Sequence, residues 1–456
     1  SEFMHDLDTE LWKLGVYAKT KHNEVAPGQH ELAPGYSNVN LATDHNQLTM
    51  EIMKKVAERH GLACLLHEKP FRGVNGSGKH NNWALSTDLG KNLLKPGREP
   101  ENNKQFLLFM CAVIKAVDEH QDLLRISVST AGNDRRLGGS EAPPAIISMF
   151  LGEDITRILE SIAEGHGAAH NDGSRMDTGV SAVPEFWKDK TDRNRTSPFA
   201  FTGNKFEFRM PGSSLSIAGP NIMLNTMVAD SLMQFADRLE NTEDFDKELD
   251  SLLAETVQQH RRIIFNGNNY TDEWVQEAKR RGLLDLATAV DALPHFSDKK
   301  NVELFRRHKI FTESEIHSRR DILLDNYNKV IMIEASTMLD MAKKDILPAC
   351  LAYERALAET AATKKAVGLS VENSAETALL KKIDSLCAEL SDRIANTEAL
   401  REKADTIKEL IPKARFVCDE LHSSMSALRA VADRLEDTVA AEYWPFPTYR
   451  DLLFSV

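Results

Sequence analysis

The stretch from Lys21 to Pro34 constrains this 456-residue chain more than any other segment. It reads Lys-His-Asn-Glu-Val-Ala-Pro-Gly-Gln-His-Glu-Leu-Ala-Pro, and its Pro27-Gly28 is a turn dipeptide, because proline fixes φ and glycine accepts a positive φ. If these two residues form the turn of a hairpin, Glu24 faces Glu31. Like charges at opposite positions destabilise a strand pair, so the sequence predicts a divalent cation between the carboxylates. The alternative is two exposed glutamates on a loop.

Composition limits the classes of protein to which the chain can belong. The net charge of −13 argues against a general nucleic-acid partner and against an anionic membrane surface. No apolar run is long enough to span a bilayer and no signal peptide is visible, so we expect a cytoplasmic protein without a membrane partner. The five cysteines lack CxxC spacing and are expected to be reduced thiols. Ser1-Glu2-Phe3, ahead of Met4, resembles a cloning scar.

The distribution of glycine and of helical periodicity divides the chain into three segments. Residues 1–220 are rich in Gly, Pro, Asn and His between short apolar runs, which is typical of a mixed α/β unit with functional loops. Residues 221–370 have helical periodicity, and residues 371–456 contain two helical runs and an aromatic tail. The two runs predict an antiparallel helical hairpin. We favour its packing on the chain's own helices over a coiled-coil arm for oligomerisation.

Shorter apolar patterns predict individual elements of the first segment. Apolar residues at helical spacing predict helices over residues 44–60 and 104–122. Short continuous apolar runs predict strands over residues 64–67 and 123–128.

Residues 205–211, Lys-Phe-Glu-Phe-Arg-Met-Pro, alternate in the manner of a strand. Because successive side chains point to opposite faces of a sheet, Phe206 and Phe208 share one face, and Glu207 and Arg209 share the other. A polar face of this kind suits a metal ligand beside a substrate clamp. The alternative is an exposed surface ion pair.

Residues 73–80, Gly-Val-Asn-Gly-Ser-Gly-Lys-His, form what we call the glycine loop, whose backbone a ligand can approach closely. It nearly matches a phosphate-binding P-loop. The residues after it predict a strand, however, whereas a P-loop must open a helix, so we reject that interpretation. Imidazole is a good ligand for divalent metals. The alternative for His80 is a hydrogen-bonded structural histidine.

Two further segments concentrate arginine, which binds carboxylates and phosphates bidentately. Residues 133–144 read Asn-Asp-Arg-Arg-Leu-Gly-Gly-Ser-Glu-Ala-Pro-Pro, and Glu141 on this loop could accept a proton. Residues 192–195 read Asp-Arg-Asn-Arg. The alternative for residues 133–144 is a solvated loop, and the polar stretch 170–177 is interpreted as a loop as well.

In chain order, these segments resemble the glutamine synthetase family, and the loop chemistry with the helical tail most resembles its type III branch. The resemblance covers roughly the first half of the chain. It implies an α+β fold: a catalytic domain with a mostly antiparallel sheet and flanking helices, followed by a helical C-terminal region with a long helical hairpin. It also implies a homo-oligomer, which is a double-ring dodecamer in full-length members.

The resemblance also implies roles for the matching residues. Two divalent cations, Mg²⁺ or Mn²⁺, would each take two ligands from this chain: Glu24 with Glu31, and His80 with Glu207. Four residues would contact the amino acid substrate: Asn75, Gly76, Arg136 and Arg209. Glu141 would take the proton from ammonium, and Arg195 would bind phosphate. The spacing to Glu141 is one residue shorter than in commoner branches, so Arg135 competes with Arg136.

The implied reaction is the ATP-dependent ligation of ammonia to the γ-carboxylate of glutamate through a γ-glutamyl phosphate. Two alternatives are a related γ-glutamyl-amine ligase and a non-catalytic assembly or regulatory fragment. In the resembling family the site also needs a Glu-x-Glu strand and an N-terminal domain. Neither is recognisable in the twenty residues before Lys21, so we expect this chain alone to be an inactive fragment.

Overall fold

The computed structural model describes residues 2–24, 26, 28–71, 73–139, 142–165, 175–176, 186–187, 194–372, 374–448 and 451. The described chain forms two compact units, one that ends at His317 and one that begins at Ser318. The three segments with limits at residues 220 and 370 stay a prediction.

Within the described residues, eight strands form three sheets. They are β1 (Ala18–Asn23), β2 (His30–Pro34), β3 (Asn81–Trp83), β4 (Met149–Phe150), β5 (Arg175–Met176), β6 (Phe186–Trp187), β7 (Phe199–Phe201) and β8 (Phe206–Phe208). The largest sheet has the order β3-β8-β7-β4. Its β3–β8 and β8–β7 pairs are antiparallel and its β7–β4 pair is parallel. The predicted mostly antiparallel sheet is therefore confirmed.

Helices make up most of the regular secondary structure described in the first unit. They are α1 (Glu2–Lys13), α2 (Val39–Arg59), α3 (Lys104–Glu119), α4 (Gln121–Ile126), α5 (Ala131–Asp134), α6 (Glu153–Ala163), α7 (Ala218–Glu240), α8 (Phe245–His260), α9 (Asp272–Arg280), α10 (Ala289–Ala292), α11 (Lys299–Arg307) and the start of α12 (Glu313–Met341). Short 3₁₀ turns span Pro100–Asn102, Arg261–Ile263 and Leu293–Ser297. The helices predicted over residues 44–60 and 104–122 are confirmed as α2 and α3. Helix α2 begins earlier than predicted because the Asn38 side chain caps it by accepting from the Leu41 amide.

The two strands predicted over residues 64–67 and 123–128 are wrong. Residues 64–67 have no regular structure, and residues 123–126 belong to α4. In α4 even Gln121 and Asp122 are buried beside Leu123 and Leu124. A short apolar run that is buried on all sides reads the same in a helix as in a strand.

The strand predicted over residues 205–211 is confirmed as the shorter β8. Phe206 and Phe208 are fully buried on one face, and the Phe199 ring of β7 stacks on Phe206 with 4.7 Å between the ring centroids. The opposite face carries Glu207 and Arg209. The apolar face thus anchors the strand in the core and leaves its polar face for the site.

The predicted hairpin is present, but its predicted register is wrong. β1 and β2 pair with His22 opposite Glu31, so Glu24 does not face Glu31. The Glu24 amide instead donates to the Gln29 carbonyl at 2.9 Å. The connection therefore contains four residues rather than two.

The turn chemistry explains the register. The Gln29 amide donates to the Ala26 carbonyl at 3.1 Å, and Gly28 has a φ of 68°. A turn from Ala26 to Gln29 therefore lies inside the longer connection, whereas a two-residue hairpin needs a turn of the primed types. The shift amounts to two residues on one strand, and an even shift keeps each side chain on its predicted face.

A small apolar core holds the hairpin against α1 and α2. Leu7, Leu11, Val16 and Val56 are fully buried in it, and Leu32 of β2 packs on them. The inner residues of the hairpin are therefore fixed, while its polar residues remain on the other side.

The second unit is helical. It contains the rest of α12, α13 (Leu347–Ala366), α14 (Ala375–Thr406), α15 (Leu410–Phe416) and α16 (His422–Glu436), with π-helical turns at Ala342–Ile346 and Val417–Leu421. None of the helices in the described part of the chain has the length and apolar character needed to cross a bilayer.

The antiparallel helical hairpin predicted in the C-terminal segment is confirmed. Asn396 of α14 donates to Ser424 at 2.9 Å, whereas Arg434 of α16 donates to Glu389 at 2.6 Å, so the two helices run in opposite directions. Their apolar faces meet in one buried cluster with α13. The aromatic residues of the tail, Tyr443, Trp444 and Phe446, pack on the same cluster. Packing on the chain's own helices is the arrangement observed.

Candidate active site

Three side chains meet at the polar face of the hairpin, and we call them the hairpin cluster: His22, Glu24 and Glu31. Their ligand atoms all lie within 4.8 Å of one another. His22 Nε2 lies 2.9 Å from Glu24 Oε1 and 3.8 Å from Glu31 Oε2. The two carboxylates come together despite the changed register, because Glu24 lies diagonally across from Glu31.

The electrostatics of Glu31 fit a cation-binding site. Partial burial raises the pKa of Glu31, and the neighbouring Glu24 carboxylate raises it further. The charges of His80 and His22 act in the opposite direction. A carboxylate that resists ionisation beside another carboxylate is stabilised by a divalent cation, and carboxylate oxygens and imidazole nitrogen are suitable ligands. The residues present therefore fit a divalent metal ion.

A second group, the sheet cluster, consists of His80, Glu207 and Arg209. Asn82 of β3 pairs with Glu207 of β8, which brings the preceding His80 beside the same carboxylate. His80 Nδ1 lies 3.2 Å from Glu207 Oε1, and Arg209 donates to Glu207 Oε2 through Nη2 at 2.6 Å. Burial opposes ionisation of Glu207, but the His80 hydrogen bond and the Arg209 charge outweigh it and lower the pKa to about 2. Glu207 is therefore ionised at neutral pH, as a carboxylate that binds a cation must be.

The two clusters are neighbours. The charge of His80 in the sheet cluster lowers the pKa of Glu31 in the hairpin cluster, which is consistent with a short separation. Gln29 of the hairpin also donates from Nε2 to the Gly76 carbonyl at 3.3 Å. The structure thus brings all four predicted metal ligands into one region.

Gly76, predicted at the substrate, lies in a place where no side chain fits. A Cβ added there would lie 2.8 Å from the Glu68 carbonyl oxygen and 2.9 Å from Arg136 Cγ. Asn75, its predicted partner, is half-buried in the same loop. The absence of a side chain at Gly76 therefore allows the loop to lie directly on Arg136.

Arg136 was predicted to contact the substrate, yet its guanidinium lies beneath the glycine loop. Its Nη1 donates to the Met210 carbonyl at 3.0 Å, and its Nη2 donates to the Arg209 carbonyl at 3.0 Å. Burial lowers the pKa of Arg136 to about 10. The competing Arg135 is half-buried.

Arg209 connects the sheet cluster to the segment that carries Arg195. Its Nη1 donates to the carbonyls of Asn194 and Ser197, the latter at 3.3 Å. Arg195 itself has an exposed side chain. The predicted phosphate arginine is thus next to the residue that anchors Arg209.

Two sequence interpretations lie outside the described residues. One is Glu141, the predicted proton acceptor. The other is the loop predicted over residues 170–177, of which the structure describes only the backbone of residues 175–176 as β5.

Three residues near the clusters were not predicted from the sequence: His22, Glu68 and Lys79. His22 carries a recognisable signal, because it precedes Glu24 by two residues and strand alternation places both on one face. Glu68 and Lys79 are buried or half-buried charges, and no motif distinguishes such residues from surface charges.

Comparison with known proteins shows the family to which the chain is related. The family model "Glutamine synthetase, catalytic domain" matches residues 1–147, and "Glutamine synthetase C-terminal domain" matches residues 248–365. A glutamine synthetase of Butyrivibrio fibrisolvens is 47% identical over 465 aligned residues, which cover 100% of this chain and 65% of that protein. The chain belongs to the glutamine synthetase family.

Other glutamine synthetases match over nearly the full chain. The "Type-3 glutamine synthetase" of Dictyostelium discoideum is 41% identical over 99% of this chain and 62% of its own length. A glutamine synthetase of Bacteroides fragilis is 40% identical over 99% of this chain and 64% of its own length. The chain therefore spans slightly less than two thirds of the length of these glutamine synthetases.

Proposed function

We propose that this chain carries the metal and substrate residues of a glutamate–ammonia ligase. The reaction is ATP-dependent: the γ-carboxylate of glutamate is phosphorylated, and ammonia then displaces phosphate from the γ-glutamyl phosphate. The observation that carries the proposal is the convergence of the hairpin cluster and the sheet cluster in one region. Membership of the glutamine synthetase family supports it.

In this proposal the hairpin cluster holds one divalent cation, Mg²⁺ or Mn²⁺, through Glu24, Glu31 and the additional His22. The sheet cluster holds the other through His80 and Glu207. When bound, such cations neutralise the charge that develops on the transferring phosphoryl group. The low pKa of Glu207 supports this assignment, because the carboxylate needs no deprotonation before it binds a cation.

The remaining roles follow from charge and position. Arg195 binds a phosphate of ATP, since its guanidinium is exposed beside the segment that anchors Arg209. Arg209 and the backbone at Asn75 and Gly76 contact glutamate. Glu141 accepts the proton from ammonium.

The arginine that binds the glutamate carboxylate is, in this proposal, Arg135 rather than Arg136. Both terminal nitrogens of the buried Arg136 guanidinium donate to backbone carbonyls, whereas the adjacent Arg135 is only half-buried. Arg135→Ala in an active form of the enzyme should raise the KM for glutamate with little change in the affinity for ATP. A glutamate KM equal to that of the unmutated enzyme would return the role to Arg136.

The proposal extends to assembly and compartment. We infer a cytoplasmic homo-oligomer whose full-length form is a double-ring dodecamer, as the family resemblance implies. We also propose that the 456-residue chain alone is inactive. This proposal is supported by the positions of Asp6 and Glu10 in α1, where Asp6 pairs with His60 at 2.9 Å and Glu10 pairs with Lys13 at 3.0 Å.

The formation of γ-glutamyl hydroxamate from glutamate, ATP and hydroxylamine tests the proposal. The longer protein that contains this chain should form it only with a divalent cation, and the 456-residue chain should not. Methylamine or ethylamine used in preference to ammonium would favour a γ-glutamyl-amine ligase. Absence of any product from the longer protein would favour a non-catalytic role.

A further inference from the structure

We propose that Lys79 and Glu68 are positioning residues that hold the glycine loop against residues 210–215 and so keep His80 beside Glu207. The inference rests on the proposed function, in which His80 and Glu207 share a cation. Neither Lys79 nor Glu68 is placed in contact with a substrate or a cation.

Lys79 fastens the glycine loop to the chain that follows β8. Its Nζ donates to the Ser213 carbonyl at 2.6 Å and to the Leu215 carbonyl at 2.5 Å. Its backbone amide donates to the Pro211 carbonyl at 2.8 Å. Three bonds from the residue next to His80 thus reach the segment next to Glu207 and Arg209.

Glu68 also bonds to the same two segments. Its carboxylate is buried and accepts from the Ser214 hydroxyl and from the Ser214 amide, the latter at 3.1 Å. Its carbonyl accepts from the Ser77 amide of the glycine loop at 2.8 Å. A single residue therefore bonds to both segments that Lys79 joins.

The charges of this arrangement balance in part, and its packing is tight. The Glu68 carboxylate acts favourably on the charges of both Lys79 and Arg136. A Cβ at Gly132 would lie 2.5 Å from Glu68 Oε2, and a Cβ at Gly212 would collide with the same carboxylate. Glu68 and Lys79 are each held by specific partners, and Gly132 and Gly212 pack closely on Glu68. The glycine loop therefore has little freedom to shift.

The consequence concerns the geometry of the sheet cluster. His80 follows Lys79 directly at the end of the glycine loop. The 3.2 Å contact between His80 and Glu207 therefore depends on where the glycine loop lies relative to β8. Outer-shell partners that orient metal ligands typically change metal affinity about 10- to 100-fold when they are removed. A role in folding alone would weaken every site of the unit equally, whereas a positioning role acts on the sheet cluster.

Titration calorimetry of the purified chain with Mn²⁺ tests this difference. Lys79→Met should weaken binding at the sheet cluster about 10- to 100-fold and leave binding at the hairpin cluster unchanged. The cluster affected is identified by comparison with Glu207→Gln and Glu24→Gln. Lys104→Met, which removes an ammonium that pairs with exposed Asp246 at 3.1 Å, is the matched control and should bind like the unmutated chain.

A conservative variant of Glu68 separates position from charge. Glu68→Gln keeps an oxygen that accepts from the Ser214 amide and should retain most of the Mn²⁺ affinity of the sheet cluster. Glu68→Leu loses that acceptor and should behave like Lys79→Met. Equal affinities at the sheet cluster in Lys79→Met, Glu68→Leu and the unmutated chain would overturn the inference.

Hydrogen exchange makes the result independent of the proposed function. The Ser77 and Lys79 amides, which donate to Glu68 and Pro211, should exchange faster in Lys79→Met than in the Lys104→Met control. If the unmutated chain binds no Mn²⁺, the proposed metal role fails, and this exchange measurement alone decides whether the two residues hold the loop. Unchanged exchange at both amides would then overturn the inference.

Discussion

Asp230 shows how a single buried carboxylate stabilises the first unit. It accepts from Arg307 Nη1 at 2.7 Å, from His308 Nε2 at 2.8 Å and from Gln234 Nε2 at 2.7 Å. Burial alone would raise the pKa of Asp230, but the hydrogen bonds from His308, Arg307 and Gln234 outweigh it and lower the pKa. The carboxylate therefore stabilises the fold most where it is ionised.

Replacing Asp230 by asparagine should reduce the free energy of unfolding at pH 7 by about 1.5–3 kcal/mol, the usual value of a hydrogen bond to a charged group. Because the folded pKa is lowered, this stabilisation is present above the unfolded pKa of about 3.9 and is lost as the pH falls through the folded pKa. Urea unfolding measures this effect. The difference in unfolding free energy between Asp230→Asn and the unmutated chain should be smaller at pH 3 than at pH 7.

Asp237→Asn is the matched control for this measurement, because Asp237 lies on the same helix with an exposed side chain. It should change stability by less than about 0.5 kcal/mol. A difference for Asp230→Asn that stays constant from pH 7 to pH 3 would contradict the account of Asp230.

Gly76 allows the close contact between the glycine loop and Arg136. In Gly76→Ala the new Cβ would lie within 3 Å of a backbone oxygen and of a buried side chain, so the loop must move. We expect a loss of about 1–3 kcal/mol, the usual cost of overpacking. Thermal unfolding measures it, and a stability equal to that of the unmutated chain would be inconsistent with the described packing.

Gly35→Ala is the control for the glycine substitution. A Cβ there meets Tyr17 Cδ1 at 3.5 Å, an ordinary van der Waals distance. We expect its melting temperature to remain close to that of the unmutated chain.

Single residues also show the limit of sequence reasoning at this scale. Strand alternation correctly predicted that Glu207 and Arg209 share a polar face, because the phenylalanines between and before them determine the buried face. The position of the Arg136 guanidinium was not predictable, since an arginine in a loop reads the same whether it faces a ligand or backbone carbonyls. The orientation of the Arg136 side chain becomes visible only in the structure, where Gly76 packs on it.

At the scale of elements, the C-terminal helical hairpin was predicted because its apolar residues recur at helical spacing. Leu390 of α14 is fully buried in the cluster shared with α16 and α13. Leu390→Ala should destabilise the second unit by about 2–5 kcal/mol, measured by urea unfolding. Mn²⁺ binding by the first unit should persist, because we propose that these helices are structural.

Leu351→Ala, on α13 with a half-exposed side chain, provides the comparison. It should alter the free energy of unfolding by less than about 0.5 kcal/mol. Equal losses in the two variants would contradict the observed core of the second unit. Loss of Mn²⁺ binding in folded Leu390→Ala would contradict the structural role of the helices.

The hairpin at the first proposed metal site and the two wrong strands show what element prediction misses. The sequence identified the turn dipeptide, but the length of the connection depends on the hydrogen bond from the Glu24 amide to the Gln29 carbonyl. An apolar run such as residues 123–128 shows neither helical nor strand periodicity in its sequence when it is buried on all sides. For that run, tertiary packing supplies the information that the local pattern lacks.

At the scale of the whole molecule, the order of the motifs along the chain predicted the family, and the matches to glutamine synthetases confirm it. The α+β organisation with a mostly antiparallel sheet is confirmed as well. The positions of the buried charges Glu68 and Lys79 could not be predicted, because each depends on partners more than a hundred residues away in the chain. The proposed metal ligands Glu24, Glu31 and Glu207, by contrast, were candidates from strand patterns, and His80 was a candidate through the family resemblance.

The central claim is that the hairpin cluster and the sheet cluster bind two divalent cations in one active site. Crystals of the chain grown with Mn²⁺ and measured at the manganese absorption edge test it most directly. The account predicts two anomalous peaks, one coordinated by Glu24 and Glu31 and one by His80 and Glu207. Peaks at other residues only, or no peak at either cluster at saturating Mn²⁺, would contradict it.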